Sequence, residues 1–302
     1  MKSIFIEDLL CPAKLNFILR VGPNDRRTGY HPVATLITPL DWGDRMSIRL
    51  GTSKATKIHL ECRQLRSLPI EQNLIFRAAE AFAKEVGLNF EARISLQKRV
   101  PMGAGLGGGS SNAAQTLKIL SAWVSQSPSG ILISKTRLAS LAKRLGADVA
   151  FFLEEGPAWC TGIGEKCRGI RMNSWPVVIA YSTIKVPTSW AYRELDNFRQ
   201  KSQRKNLLLL DSRIPKWVSE SSNDFSVPRL ENDFEIPILH SKPSLLKVKS
   251  KLAESGALAT QMTGSGSAFF GIYRTDQEAK KAVWFLRAQG LSAVFARTRN
   301  GP

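Results

Sequence analysis

Residues Pro101 to Ala114 read PMGAGLGGGSSNAA, directly after a stretch, Glu91 to Val100, in which Ala92, Ile94 and Leu96 alternate with polar residues. The alternation predicts a half-buried strand. Beyond the loop, Ala113, Leu117 and Leu120 predict a helix running to Trp123. Strand, glycine loop and helix in that order commit the chain to a mixed architecture in which both elements share one core. Gly103, Gly105, Gly107, Gly108 and Gly109 let the backbone take positive φ and come close to a ligand. The free amides and dipole at the following helix start attract phosphate. Ser110 and Ser111 stand where a hydroxyl can cap the helix, touch phosphate or help hold a divalent cation. The plain alternative is a flexible turn followed by an N-cap.

The type of phosphate loop narrows by exclusion. Gly103, Gly105 and Gly108 satisfy GxGxxG, but a dinucleotide fold needs an acid about twenty positions later, and none occurs before Asp148. A Walker loop needs Lys before Ser or Thr, whereas Gly109 precedes Ser110 directly. The HRD and DFG motifs of protein kinases are absent.

Elsewhere, Asn73 opens a predicted helix with Ile75, Ala79, Phe82 and Val86 on one face and Gly87 as its stop. Another starts at Ser134, carries Leu138, Leu141 and Leu145, and stops at Gly146. In the last third, Pro176 to Ser182 reads as a strand and Ser244 to Ser255 as a capped helix ending at Gly256. Leu258 to Thr263 and Ala268 to Tyr273 read as strands joined by Gly264-Ser265-Gly266-Ser267. Asp276 is expected to cap a helix to Gly290, followed by the strand Ser292 to Ala296. That order, β-α-β-β-α-β, is the split arrangement of ferredoxin-like domains. An α+β domain is therefore expected at 1–165 and another at 166–302, with a polar, basic insertion near 196–230 that contains Leu207 to Leu210.

The 302 residues, 43% of them hydrophobic, suffice for a sizeable core. Glu7 and Asp8 interrupt the first apolar run before it could serve as a signal peptide, and no later run is long enough to span a membrane. Cys11, Cys62, Cys160 and Cys167 have neither metal-ligand spacing nor the density of a disulfide scaffold, so reduced thiols in the cytoplasm are expected. The net charge of +18 raises the question of nucleic acid. Yet between Arg93 and Ala147 there are eight Lys or Arg and no acid, so the positive stretch surrounds the glycine loop, as suits a polyphosphate. A basic surface without a specific partner explains the overall excess equally well.

With these motifs the chain resembles the GHMP kinase superfamily along nearly its whole length. The resemblance rests on Pro12-Ala13-Lys14-Leu15-Asn16, Gly29-Tyr30-His31, the loop from Pro101 and Met102 through Ala104, Leu106 and the triple glycine to Ser111, Gly146-Ala147-Asp148-Val149, Asn232-Asp233, and Thr263-Gly264-Ser265-Gly266-Ser267. It implies a two-domain α+β fold, with a ribosomal-protein-S5-like α/β domain before the ferredoxin-like one. It also implies ATP as phosphoryl donor with Mg2+, the phosphates lying on Pro101–Ser111, and a small-molecule acceptor with no nucleic acid and no membrane. Lys14 and Asp148 resemble the catalytic pair, Asp148 accepting the acceptor hydroxyl's proton and Lys14 stabilising charge. Read alone, Asp148 is as readily an N-cap and Lys14 a solvated strand end.

Tyr30 and His31 resemble residues that stack on a cytosine and contact its polar edge. Tyr192 resembles the opposite wall, although core packing explains it as well. Asn16 is expected near the acceptor's hydroxyl or diphosphate end. Gly264, Ser265 and Gly266 resemble the third superfamily motif, a turn that leans on the phosphate loop and shapes the site between the domains. The acceptor so implied is 4-diphosphocytidyl-2-C-methyl-D-erythritol, phosphorylated on its 2-hydroxyl. Homoserine, mevalonate or a sugar remain as alternative acceptors, and RNA binding as a reading of another class. Thr28, Pro32 and Ala150 stand where the family usually has Asp, Glu and Pro, which puts the substrate entrance in question.

Overall fold

The computed structural model describes residues 2–65, 69–126, 131–201, 210–215 and 227–301. Residues 202–209 and 216–226 of the expected insertion, Leu207 to Leu209 among them, lie outside these. The chain divides into two compact units, Met1–Ala13, Trp42–Pro101 and Gly107–Leu153 in the first, and Lys14–Asp41, Met102–Leu106 and Glu154–Pro302 in the second.

Two long strands, β1 (Ile4–Val21) and β2 (Val33–Thr52), contribute to both units; β3 (Lys57–Glu61), α1 (Leu74–Val86) and β4 (Phe90–Gln97) belong to the first. There β4 pairs antiparallel with β2, from Arg45 opposite Gln97 to Thr52 opposite Phe90, and parallel with β3. Phe90, Ala92, Ile94 and Leu96 of β4 are buried and alternate with more exposed residues, the pattern of a sheet with one wet face. The helices are α1, α2 (Gly108–Ser125), α3 (Lys135–Leu145) and α4 (Ala147–Phe151). As the sequence predicts, Asn73 caps α1 by accepting from the Ile75 amide, and Gly87 ends it in the left-handed conformation at φ 66°. Ser134 caps α3 through the Arg137 amide. Trp123 of α2 meets Phe90 edge to face, with centroids 6.0 Å apart.

In the second unit, β5 (Ala158–Thr161) pairs antiparallel with β2 and with β6 (Lys166–Gly169). The chain continues through β7 (Pro176–Tyr181), α5 (Thr188–Lys201), β8 (Glu231–Asn232), α6 (Glu235–Ser241), α7 (Leu246–Glu254), β9 (Ala259–Met262), β10 (Phe269–Ile272), α8 (Asp276–Ala288) and β11 (Ser292–Arg297). Strands β11-β7-β10-β9 form an antiparallel sheet in that order, the ferredoxin-like topology expected from the succession of elements. Apolar residues of β7, β10, α7 and α8 fill its core.

Some local readings are corrected. Helix α8 is capped by Thr275, whose hydroxyl accepts from the Glu278 amide; Asp276 is its first helical residue and pairs with Arg297. A 3-10 turn, Pro243–Leu245, precedes α7, which has no side-chain cap. Cys160 and Cys167, expected as thiols, face one another across the β5-β6 ladder with Cα atoms 4.1 Å apart and form a disulfide. Their separation of seven residues reveals nothing until the hairpin brings them into register.

Candidate active site

In the first unit, the chain leaving β4 is fastened to the start of α2 by one carboxylate. Asp44, fully buried, accepts from the amides of Arg99 and Val100 at 2.8 Å each, from Asn112 Nδ2 at 3.0 Å, and from the Lys98 ammonium. A buried carboxylate needs this saturation, and the same bonds fix where the helix begins. Helix α2 starts at Gly108, not at the serines. Gly107, at φ 70°, is its N-cap without a side-chain bond, so Ser110 and Ser111 lie in the first turn. A Cβ on Gly108 would stand 2.9 Å from Val100 Cβ, which accounts for glycine there.

The first turn of α2 holds no acid, and Gly109 is exposed there. Ser111 Oγ and Asn112 Oδ1 are buried without a hydrogen-bond partner among the described residues. The amides at the positive end of an 18-residue helix, with spare polar capacity at Ser111 and Asn112, fit a polyphosphate. The surrounding positive charge is smaller than the sequence implies. Besides Lys98 with Asp44, both Arg137 and Arg144 bind Glu85, and Arg93 binds Glu91, acids outside the acid-free stretch. Among the described residues no group of three or more His, Cys, Asp or Glu gathers to hold a metal.

Asp148 is the second residue of α4, whose N-cap is Gly146, so it is not a cap; its side chain is half-buried. A carboxylate in the first turn is favoured by the helix dipole.

In the second unit, Met102–Leu106 lies against the turn between β9 and β10. The Ala268 amide donates to Ala104 O at 3.2 Å, and the Lys14 amide to Leu106 O at 3.0 Å. A Cβ on Gly105 would fall 2.1 Å from Thr263 O, and one on Gly264 would fall 2.9 Å from Gly105 O and 3.1 Å from Lys14 Nζ. Lys14 is only 3% exposed, contrary to a solvated strand end, and its ammonium donates to Asn16 Oδ1. Asn16 gives Nδ2 to Thr35 Oγ1 at 2.9 Å, and its amide to Thr263 Oγ1 at 3.1 Å. Asn232 Nδ2 donates to Met262 O at 2.7 Å and Gly264 O at 2.9 Å, pinning both sides of the turn. Gly264 thus lies against Gly105 and Lys14, and Gly266 O against Gly105, whereas the Ser265 hydroxyl bonds to that of Thr188.

Tyr30 closes a short turn by bridging to Asp25 and is 61% exposed. Asp25 shapes that turn, accepting from the Arg27 amide at 2.9 Å and the Thr28 hydroxyl at 3.0 Å. Those bonds, the Arg27 amide first, hold its carboxyl below the usual range. Thr28 therefore has a task that is structural. His31 is buried, stacked on Tyr192 with centroids 4.9 Å apart, and Tyr192 meets Phe234 edge to face. Tyr192 is thus packed on the core, as its plain reading proposed, and also reaches His31.

Sequence reasoning missed Asp44, Lys98, Asn112 and Thr35. No local pattern singles them out in the sequence, and burial alone makes them significant.

Residues 73–156 match the family model described as GHMP kinases N terminal domain, and residues 214–290 match GHMP kinases C terminal. A Chlorobaculum tepidum protein named 4-diphosphocytidyl-2-C-methyl-D-erythritol kinase is 37% identical over 287 residues, 94% of this chain and 93% of its own length. One of the same name from Anaeromyxobacter sp. strain K is 34% identical over 298 residues, 96% of this chain and 90% of its own. A crystal structure of 4-(cytidine 5'-diphospho)-2C-methyl-D-erythritol kinase matches with a TM-score of 0.77 at 31% identity, covering 97% of this chain and 100% of that one. Homoserine kinase from Cytophaga hutchinsonii matches over 99% of this chain and 95% of its own with a TM-score of 0.68, but at 16% identity it shares the fold alone.

Proposed function

The chain belongs to the GHMP kinases and, within them, to the 4-diphosphocytidyl-2-C-methyl-D-erythritol kinases; from that membership we propose that it moves the γ-phosphoryl group of ATP to the 2-hydroxyl of 4-diphosphocytidyl-2-C-methyl-D-erythritol, in non-mevalonate isoprenoid precursor synthesis. The observation that carries this is the end-to-end relationship, 37% identity over 94% of the chain and 93% of the relative.

The loop amides and the start of α2 hold the triphosphate. Mg2+ bound to the phosphates, with Ser110 or Ser111 nearby, would neutralise charge on them. Lys14 supports the negative charge that spreads over the transferring group, and Asn16 keeps its ammonium directed. Asp148 takes the proton from the acceptor hydroxyl. Tyr30 stacks on the cytosine, and the Tyr30-His31 segment meets its polar edge. In phosphoryl transfer such positioning and electrostatics supply most of the rate.

A coupled assay for ADP release tests the reading directly. Release that depends on the cytidine substrate, and fails with homoserine or mevalonate, is the expected result; release with either rival instead would reassign the acceptor. For the base, Asp148→Asn should lower kcat by roughly 10²- to 10⁴-fold with little change in either KM. Because Gly146 is the N-cap of α4, the amide should leave the helix intact. Turnover within about threefold of the parent would remove Asp148 from the mechanism.

A further inference from the structure

We propose that Asp196 is a positioning residue that fixes the imidazole of His31 and thereby the grip on the pyrimidine end of the acceptor; the inference deepens the function proposed above and rests on it. Helix α5 presents Tyr192, Asp196 and Arg199, spaced four and three residues apart, on one face. All three converge on His31 and its surroundings. Tyr192 covers the ring face at 4.9 Å between centroids. Asp196 Oδ2 lies 3.2 Å from Nε2, and Nδ1 lies 2.9 Å from Gly22 O. Arg199 donates to Val21 O at 2.7 Å and to Gly22 O at 3.4 Å, and is held by Asp233 at 3.0 Å. The Gly22 amide donates to Pro32 O at 2.7 Å, closing the frame around the ring.

Both partners of the imidazole, a carbonyl and a carboxylate, are acceptors. Each ring nitrogen faces one of them. Each nitrogen is then committed to the protein, and the imidazole acts as a strut behind the chain that carries the exposed Tyr30. Asp196 acts through that strut and is not a catalytic residue. Nothing in the family motifs singles it out; it becomes visible only because α5 places it one turn after Tyr192.

The test uses the full chain with 15N-labelled histidine and steady-state kinetics. In the parent, the His31 ring signals are assigned through His31→Gln. Asp196→Ala should shift them and raise KM for the cytidine substrate by about tenfold, the loss of one charge-assisted hydrogen bond, with KM for ATP and kcat little changed. Asp196→Asn, which still offers an acceptor oxygen, should restore most of the affinity. Unchanged His31 signals in Asp196→Ala would overturn the proposal. A general loss across both substrates with a lowered Tm, unrescued by Asn, would also overturn it, leaving a purely structural residue. Shifted signals with an unchanged cytidine KM would overturn it as well, because the hold on His31 would then have no bearing on the grip on the pyrimidine.

Discussion

At the scale of single residues, the glycines of the loop divide by what a methyl group would meet. Gly105, at φ 78°, has Thr263 O where its Cβ would be, whereas Gly109 is helical and a Cβ there would touch only Leu74 Cδ1, at 3.6 Å. Gly105→Ala should therefore cost at least about 2 kcal/mol from left-handed strain and the clash together, while Gly109→Ala should leave stability unchanged or raise it slightly. Thermal melts of the two variants check this, and equal Tm values would contradict the packing of the loop on the β9-β10 turn. Lys14 makes a related point. Its burial beside Asn16 excludes the solvated reading that sequence alone allowed, because a buried ammonium is kept only where acceptors surround it.

At the scale of elements, Asp44 joins three of them: it sits on β2, holds the chain leaving β4 and binds Asn112 of α2. Asp44→Asn should cost about 3 to 5 kcal/mol, since it leaves the Lys98 ammonium buried without its counter-charge. Lys98→Met in the same background should recover part of that loss by removing the orphaned charge. Denaturant midpoints of the single and double variants provide the comparison; a double variant no more stable than Asp44→Asn would show that the backbone bonds, not the ion pair, carry the effect. The helices were legible because caps and stops are local chemistry: Asn73, Gly87 and Ser134 act within a few residues of themselves. Asp44 was not legible, because its partners lie more than fifty residues away.

At the scale of the whole molecule, the cysteines separate by environment. Burial first, and the charge of Asp44 second, push the Cys11 thiol up to about 12, Cys62 is half-buried, and Cys160 and Cys167 are joined. An alkylating reagent at pH 8 should thus label Cys62 in the folded protein, Cys11 as well after unfolding, and Cys160 and Cys167 only after reduction. Mass spectrometry of the labelled peptides checks the pattern, and labelling of Cys160 in unreduced, unfolded protein would contradict the disulfide. The sequence by itself determined the strand, loop and helix around Pro101, the ferredoxin-like succession of the last third and the family, since each depends on periodicity, turn chemistry or a contiguous motif. Only the tertiary structure decided which side chains are neutralised and which are held in place. It paired Arg137 and Arg144 with Glu85, joined Cys160 to Cys167, stacked His31 on Tyr192, and set Gly105 against Thr263. Such contacts arise when a strand register or a helix face brings together residues that no local pattern links, and burial, where it occurs, strengthens the charges and hydrogen bonds involved.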